Sequence, residues 1–592
     1  MDKVYNHKGV EERIYLDWEK KGYFKPEINP KGKPYCIILP PPNANGSLHF
    51  GHAMFVVEDI LIRYHRMLGD AALWLPGTDH AGIETQFVFE KKLKLDGKSR
   101  LDFDRETLYT MIYEYVKEHR GGIEKQLKRL GFSLDWSREK YTLDPDVVRL
   151  VYKTFKRMYD EGLLYRDYKL VNYCTFDGTS FSDLEVASAE KEGVLYCIKF
   201  LLKNGGFITI ATTRPETLVG DVAVMVNPKD KRYKNLIGET VILPLVDREI
   251  PIIADESVDM GFGTGAVKVT PSHDFNDFEI AKKHNLKFPP VIGLDGKMKN
   301  TKVVDGLYVK EARRKVVEML REKKLLEKEE KHMMVLRTCY KCKNVLEPLP
   351  LEQWFVKVQP LKEKAIEAVR NGLPAGRQGK IKITPKSFEK LYFDWLENLR
   401  DWNISRQIVW GIRIPAWKNK KTEEWIVTEG ETPKGKDWEQ DSDTLDTWFS
   451  SGQWPFATLR ASFYKDDFEK FYPTSVMETG YDLLKAWVSR MVMLGLYVTG
   501  EVPFKDILFH GLVNDPYGKK MSKSKGNVVN PLELIDQYGA DAVRFALIYG
   551  NATGNDQALS YPKLEAASKF TNKIWNIARF IEIKKASSIK YG

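Results

Sequence analysis

The chain has 592 residues, 43% of them hydrophobic and 29% charged, with a formal net charge of +10. At roughly 150 residues per domain the length implies about four domains, and the composition is that of a globular protein rather than a disordered or fibrous one. Five scattered cysteines argue against a secreted disulfide framework and for a reducing compartment, while the positive surplus suits a polyanionic partner without identifying one.

The first twenty residues are rich in charge and have no apolar core segment of a signal peptide. The longest apolar stretch, near residue 490, is interrupted by Arg490 and is too short to span a bilayer. The expected setting is the cytoplasm, with no membrane partner. Residues 34–40 read as a short buried strand ending in Pro40, Pro41 and Pro42. A glycine-containing loop follows to His52, then a helical pattern through Ile60, Ile62 and Met67. Strand, loop and helix in that order suggest a Rossmann-like nucleotide-binding unit, with its ligand beyond the strand's carboxyl end. Residues 105–165 are helical by spacing, with a turn at Gly131.

Between 192 and 325 the pattern changes to strand-like runs at 207–211, 241–245 and 266–269, separated by turns. Alternating α/β features return at 402–406, 446–449 and 482–496. The expected fold is therefore an α/β domain split by a β-rich insertion. Its first half covers 1–190, the insertion 191–330, the second half 331–560, and a helical region begins at 561–592. Residues 372–379 have the Gly and Pro content of a surface loop and suggest no function.

Two short words carry chemistry. HFGH at 49–52 sets two imidazoles at a helix start, where orphan amides and the helix dipole favour phosphate. Gly51 would let a flat ring approach the backbone. KMSKS at 520–524 sets several ammonium groups on a loop that could stabilise charge developing on a transferring phosphoryl group. Alone, each also fits a bland reading: surface or capping histidines, and a solvated lysine loop.

Together, with a β-rich insertion between them, the two words resemble the class I aminoacyl-tRNA synthetases. PPPNANGSLHFGH at 40–52, PGTDHAGI at 76–83, LDTWFSS at 445–451 and TGYD at 479–482 with Trp487 look like the valine-specific branch, not the isoleucine or leucine ones. The resemblance runs from the first residues to about 580. It implies a Rossmann-like catalytic domain, ATP with Mg2+, and valine and tRNA(Val) as further substrates. His49 and His52, with Gly51 between them, would meet ATP. Lys523 would hold the α- and β-phosphates, supported by Lys520. Asp79 would pair with the substrate ammonium, and Pro41, Asn43, Trp448, Leu483 and Trp487 would form the valine pocket.

An apolar pocket rejects an isostere that merely adds a hydroxyl by about 10²-fold, a figure drawn from the valine-specific enzymes themselves. A second, hydrolytic site against threonyl-tRNA is therefore implied, and the insertion resembles that editing domain. TTRPET at 212–217 and GFGTGAVKVTPSHDFND at 261–277 match its words. They assign Arg214, Phe262, Lys268, Thr270, Asp274 and Asp277 to the pocket. Buried carboxylates there could accept the threonine hydroxyl that valine lacks. Whether Arg214 and Lys268 meet the phosphates of the terminal adenosine stays open.

A CxxC at Cys339 and Cys342 has metal-ligand spacing and is only suggestive alone. In relatives a second cysteine pair completes a zinc site. Here the corresponding positions hold Cys174 and Asp177, so the implied ligand set for one structural zinc is three thiols and a carboxylate.

The family continues into a helical anticodon-binding domain. This sequence reaches Gly592 after an amphipathic run carrying Phe570, Ile574, Ile577, Phe580 and Ile581 on one face. The remainder is a separate partner chain, or the sequence is a fragment, or the protein works without it. The competing functional reading is a truncated paralogue that binds or proofreads tRNA without activating an amino acid. Intact His49, His52 and Lys523 argue against it.

Overall fold

The computed structural model describes residues 1–373, 379–521 and 526–589. The expected insertion at 372–379 and the KMSKS lysine Lys523 fall wholly or largely outside them. Two compact units are present: one is formed by 1–164, 357–401 and 408–592, the other by 165–356 and 402–407.

The first unit is built on a five-stranded sheet in the order Lys382–Thr384, Phe504–His510, Thr474–Gly480, Pro34–Ile38, Ala71–Leu75, all parallel. Strands buried on both faces are apolar throughout, and Ala71–Leu75 is buried at every position. The expected first strand and helix are there as Pro34–Ile38 and Val56–Met67, joined through a tight 3₁₀ segment, Phe50–Phe55. Ile37, Trp74, Phe132 and Ile535 share the core beneath this crossover. The helical stretch resolves into Arg105–Arg129 and Pro145–Asp160, with Gly131 turning the chain at φ +74°. The 482–496 pattern is not one helix. A 3₁₀ turn, Tyr481–Leu483, leads into a π-helical turn, Leu484–Val488, and then into the α-helix Ser489–Thr499. Such π turns cluster at functional positions.

The second unit holds a seven-stranded sheet whose spine is the long antiparallel ladder of Val186–Leu202 with Leu326–Cys339. It also holds a four-stranded sheet in the order Trp402–Asn403, Glu347–Val356, Leu164–Cys174, Thr179–Phe181. Ile198, Phe200, Ile210 and Leu218 are central in its core. This unit extends on both sides of 191–330, because strands flanking that stretch pair with each other. Residues 402–406, expected as part of the α/β core, belong here instead. Trp402 and Asn403 pair with Val356 and Phe355, and Ile404 donates its amide to the Trp354 carbonyl.

The helix Tyr561–Ile589 exposes Phe570, Ile574, Ile577, Phe580 and Ile581. Among the described residues, no helix is long and apolar enough to cross a membrane.

Candidate functional site

In the first unit, the loop after Pro34–Ile38 delivers both histidines to the start of the 3₁₀ segment. His49 caps it: its Nδ1 accepts the Gly51 amide at 3.1 Å, and the His49 amide donates to His52 Nδ1 at 3.2 Å. The two rings lie 4.1 Å apart between centroids. Gly51 is needed first for its neighbour, since a Cβ there would lie 2.8 Å from His49 Cε1. The glycine that was expected to admit a flat ligand ring therefore makes room for the His49 imidazole.

Across the loop, Asn43 bridges to Asp79, and the Asp79 carbonyl accepts the Ala44 amide at 2.8 Å. Asp79 follows Gly77, where a Cβ would lie 2.3 Å from the Trp454 ring. The segment is thus packed against that indole and can carry no side chain there. Two residues on, Ala81 adopts left-handed φ +50° as the helix Gly82–Leu95 begins, a strained turn of the kind held at functional positions.

The Asp79 carboxylate is 5% exposed. It accepts Ser451 Oγ at 2.6 Å, Thr142 Oγ1 at 3.1 Å and the Ala81 amide at 3.1 Å, with His80 Nδ1 at 3.2 Å. Burial opposes its ionisation, but His80, Ser451 and the Ala81 amide win and hold it below the usual carboxylate range. Trp487, in the π turn, is buried and donates its indole N–H to the Ser451 carbonyl at 2.9 Å. Ser451 therefore ties Asp79 to Trp487. Trp448, Leu483 and Pro41 are half-buried, and Asn43 is exposed. Lys520 is exposed and pairs with Asp482 at 3.5 Å. Asn527, beyond the lysine word, donates to Asp515 Oδ2 at 2.8 Å and so fixes the loop's far end.

In the second unit, Lys268 is buried on the strand Ala266–Val269. Its ammonium donates to Thr217 Oγ1 at 3.0 Å, to Asp221 Oδ1 at 3.2 Å and to Thr270 Oγ1. Thr270 donates its hydroxyl to Asp221 at 2.5 Å and its amide to Asp277 at 2.8 Å. Burial and the nearby Asp274 charge push Asp277 up to about 7. Burial, partly offset by Lys268, pushes Asp221 up to about 6, and its Oδ2 finds no hydrogen bond among the described residues. Beside them His273 accepts the Val291 amide at Nε2 at 2.9 Å. Burial, reinforced by Arg214, holds its imidazole down at about 3.

The other expected residues of this pocket have structural commitments. Asp274 caps the helix Phe275–Lys283 by accepting the Asn276 and Asp277 amides. Arg214 directs its guanidinium to Glu216 at 3.1 Å and Glu347 at 2.5 Å. Phe262 is half exposed, with its ring 5.8 Å from that of His332.

Cys174, Asp177, Cys339 and Cys342 converge, with one donor atom from each lying within 4.8 Å of all the others. Cys174 Sγ is 3.5 Å from Cys342 Sγ, and Asp177 Oδ2 is 3.2 and 3.1 Å from Cys174 and Cys339 Sγ. Tetrahedral zinc with bonds of about 2.0–2.3 Å needs donors about 3.5 Å apart, so these four residues fit one. Hydrogen bonds within the cluster pull the Cys342 thiol down but push the Cys174 thiol up, and burial pushes Asp177 up, so metal binding there must release protons.

Sequence reasoning missed three participants. Ser451 ends a word already singled out, and its reach to Asp79 could have been suspected. Thr142 has no such signal. Asp221 lies just past the 212–217 word and was overlooked, although a buried acid beside a buried lysine is the more informative half of that pair.

A family model described as tRNA synthetases class I (I, L, M and V) matches residues 13–560. Curated relatives include a valine–tRNA ligase of Dehalococcoides mccartyi, 47% identical over 588 residues, and one of Clostridium acetobutylicum, 46% identical over 590. Each alignment covers 98% of this chain, and the chain spans 66% of the length of those relatives. Among solved structures, a LeuRS of Agrobacterium radiobacter K84 in complex with tRNA aligns with 97% of this chain and 76% of its own at TM-score 0.56. At 19% identity, that likeness is one of fold.

Proposed function

The chain belongs to the class I tRNA synthetases of the I, L, M and V group, and on that premise we propose that it acts as a valine–tRNA ligase. The reading is carried by Asp79: a carboxylate hidden from water yet kept ionised, beside Trp487, in a chain whose curated relatives are valine–tRNA ligases. A fixed anion in an apolar pocket selects the ammonium of an amino acid. By the family resemblance, Trp448 and Trp487 with Pro41, Asn43 and Leu483 would bound a space for a small branched side chain and exclude a larger one by overpacking.

In the activation step the valine carboxylate attacks the α-phosphorus of ATP, and the bond to pyrophosphate breaks. No side chain is covalently modified, so the protein contributes positioning and positive potential. His49 and His52 at the helix start bind phosphate, and by the resemblance the lysines of the 520–524 word, Lys520 and Lys523, add positive potential. ATP would bring Mg2+ as its counter-ion, which would add positive charge at the phosphates. The terminal hydroxyl of tRNA(Val) then takes the valyl group and AMP leaves.

The second unit serves as the proofreading site. Asp277, poised near neutrality, accepts the threonine hydroxyl or the proton of the attacking water. Lys268, held by Asp221, Thr217 and Thr270, supplies the positive charge. Zinc in the Cys174, Asp177, Cys339 and Cys342 cluster would be structural, cross-linking two loops. Elemental analysis of protein purified without chelator should find about one equivalent, and Cys339→Ala should lose it.

The deciding experiment is amino-acid-dependent ATP–pyrophosphate exchange. Valine should drive it, threonine weakly and isoleucine hardly at all. Exchange driven best by isoleucine would move the chain to that branch. No exchange with any amino acid, alongside retained deacylation of Thr-tRNA, would leave it a proofreading module.

A further inference from the structure

Beneath the first site lies a row of ionisable groups that the activation chemistry does not use until it reaches Lys520. Glu58, on the helix that follows the histidine word, and Glu478, on the strand Thr474–Gly480, are both fully buried. One oxygen of each is occupied. Glu58 Oε2 accepts the Trp74 indole at 2.5 Å, and Glu478 Oε1 meets His510 Nδ1 at 2.5 Å. The remaining oxygens, Glu58 Oε1 and Glu478 Oε2, find no donor among the described residues. The two carboxyls are nevertheless within hydrogen-bonding reach of each other.

Two buried carboxyls within reach of each other, each with an unsatisfied oxygen, share one remedy. If both carboxyls were ionised, they would repel and leave two buried oxygens unsatisfied. A single proton between them removes both penalties. Its place follows from the neighbours. The groups that act most strongly on Glu58 are the acids Glu478 and Asp59 and the neutral indole of Trp74, and the phenol of Tyr35 is also near. Glu478 faces His510. The imidazole lies between Glu478 and Asp482, and a Cβ at Gly480 would lie 3.5 Å from its Nε2. Asp482 in turn pairs with Lys520.

We infer that Glu58 carries the shared proton and Glu478 the charge, so that His510 is held as an imidazolium at the carboxyl end of the sheet. There it acts as a positioning residue for the anionic nucleotide. The row then alternates: neutral acid, carboxylate, imidazolium, carboxylate, ammonium. It runs from the helix behind the histidine word to the first lysine of the KMSKS word, and so links the two ATP motifs electrostatically. Burial and the Glu478 charge push Glu58 well up, which agrees. Burial pulls His510 down, but Glu478 and Asp482 outweigh it and hold the imidazole above its ordinary value. The nucleotide part of the inference rests on the ligase reading. The placement of the proton does not.

The test uses the full chain with labelled histidine and two isosteric variants, Glu58→Gln and Glu478→Gln. In Glu58→Gln an amide replaces the protonated acid and still donates to Glu478, so the His510 titration seen by NMR should stay within a few tenths of a unit. In Glu478→Gln the counter-charge is gone, and the proton affinity of His510 should fall about tenfold or more, one pKa unit. Infrared spectra at neutral pH should show the carbonyl band of a buried carboxylic acid in the parent. That band should be absent in Glu58→Gln and present in Glu478→Gln.

Loss of the band in Glu478→Gln with survival in Glu58→Gln would put the proton on the wrong residue. Equal His510 shifts in both variants, or none in either, would end the inference. If pyrophosphate exchange is observed, KM for ATP should rise with pH through the His510 titration, and that rise should move about one unit lower in Glu478→Gln. A KM that ignores this shift would remove the nucleotide role. A chain without exchange activity would overturn the ligase reading, while the NMR and infrared results would still decide the proton.

Discussion

Asp79 and Asp277 are about equally hidden from water, at 5% and 7% exposed, yet their charges behave in opposite ways. Asp79 receives hydrogen bonds from Ser451, Thr142 and the Ala81 amide and has His80 alongside, and it stays ionised despite its burial. Asp277 receives the Thr270 amide, has the Asp274 carboxylate nearby, and is pushed up to about 7. Depth is the same in the two units. The supply of donors differs, and it decides whether a buried acid is a fixed charge or a proton acceptor poised near neutrality.

The sharpest way to break this contrast is to remove each charge in turn. Asp79→Asn should cut valine-dependent pyrophosphate exchange by about 10²–10⁴-fold, the consequence of the roughly 3–5 kcal/mol lost when one partner of a buried pair is deleted. Asp277→Asn should leave that exchange within about twofold. Comparable losses in both variants would mean that the two units do not divide the chemistry.

The reciprocal measurement is deacylation of Thr-tRNA(Val). Asp277→Ala should slow it by about 10²-fold, the usual contribution of a positioned acid or base, while Asp79→Asn should not change it. Deacylation at the parent's rate in Asp277→Ala would make that residue a structural acceptor of the Thr270 amide and no more.

A pH profile sharpens the comparison further. If Asp277 must be ionised to act, deacylation should climb about tenfold per unit below pH about 7 and level off above it. A profile that is flat across that window would remove the acid–base role.

The smallest effect is on stability, and its sign differs between the two acids. Asp277 has a folded value above its unfolded one near 4. Its contribution is therefore full below pH about 4 and is lost as pH rises through about 7. Asp277→Asn should therefore stabilise the fold more at pH 8 than at pH 5, by at most about 4 kcal/mol, and the melting temperature should follow in the same direction. Asp79 is depressed, so its contribution is present above the unfolded value and lost as pH falls through the folded one. Asp79→Asn should cost stability at pH 7. Thermal unfolding of the two variants across pH 5–8 checks the pH dependence at Asp277 and the loss of stability at pH 7 in Asp79→Asn.

The sequence by itself determined the elements whose signals are local. The strand Pro34–Ile38, the loop carrying His49 and His52, and the helix Val56–Met67 follow from an apolar run, a histidine word with glycine, and helical spacing. The words holding Asp79, Trp487, Lys268 and Asp277 were legible too, and so was the four-residue cluster Cys174, Asp177, Cys339 and Cys342.

Tertiary structure alone decided what depends on partners remote in the chain. Residues 402–407 join the second unit because Trp402 and Asn403 find their ladder on Glu347–Val356, and no local pattern distinguishes a strand's partners. Thr142 reaches Asp79 across 63 residues and Ser451 across 372, so the donors that fix its charge are invisible at the Asp79 word. Arg214 is paired with Glu347 from 133 residues away, a partner its own word does not contain. The protonation of a buried acid is the free-energy balance of all such neighbours. Folding assembles those neighbours from segments hundreds of residues apart, and no single stretch of sequence contains them.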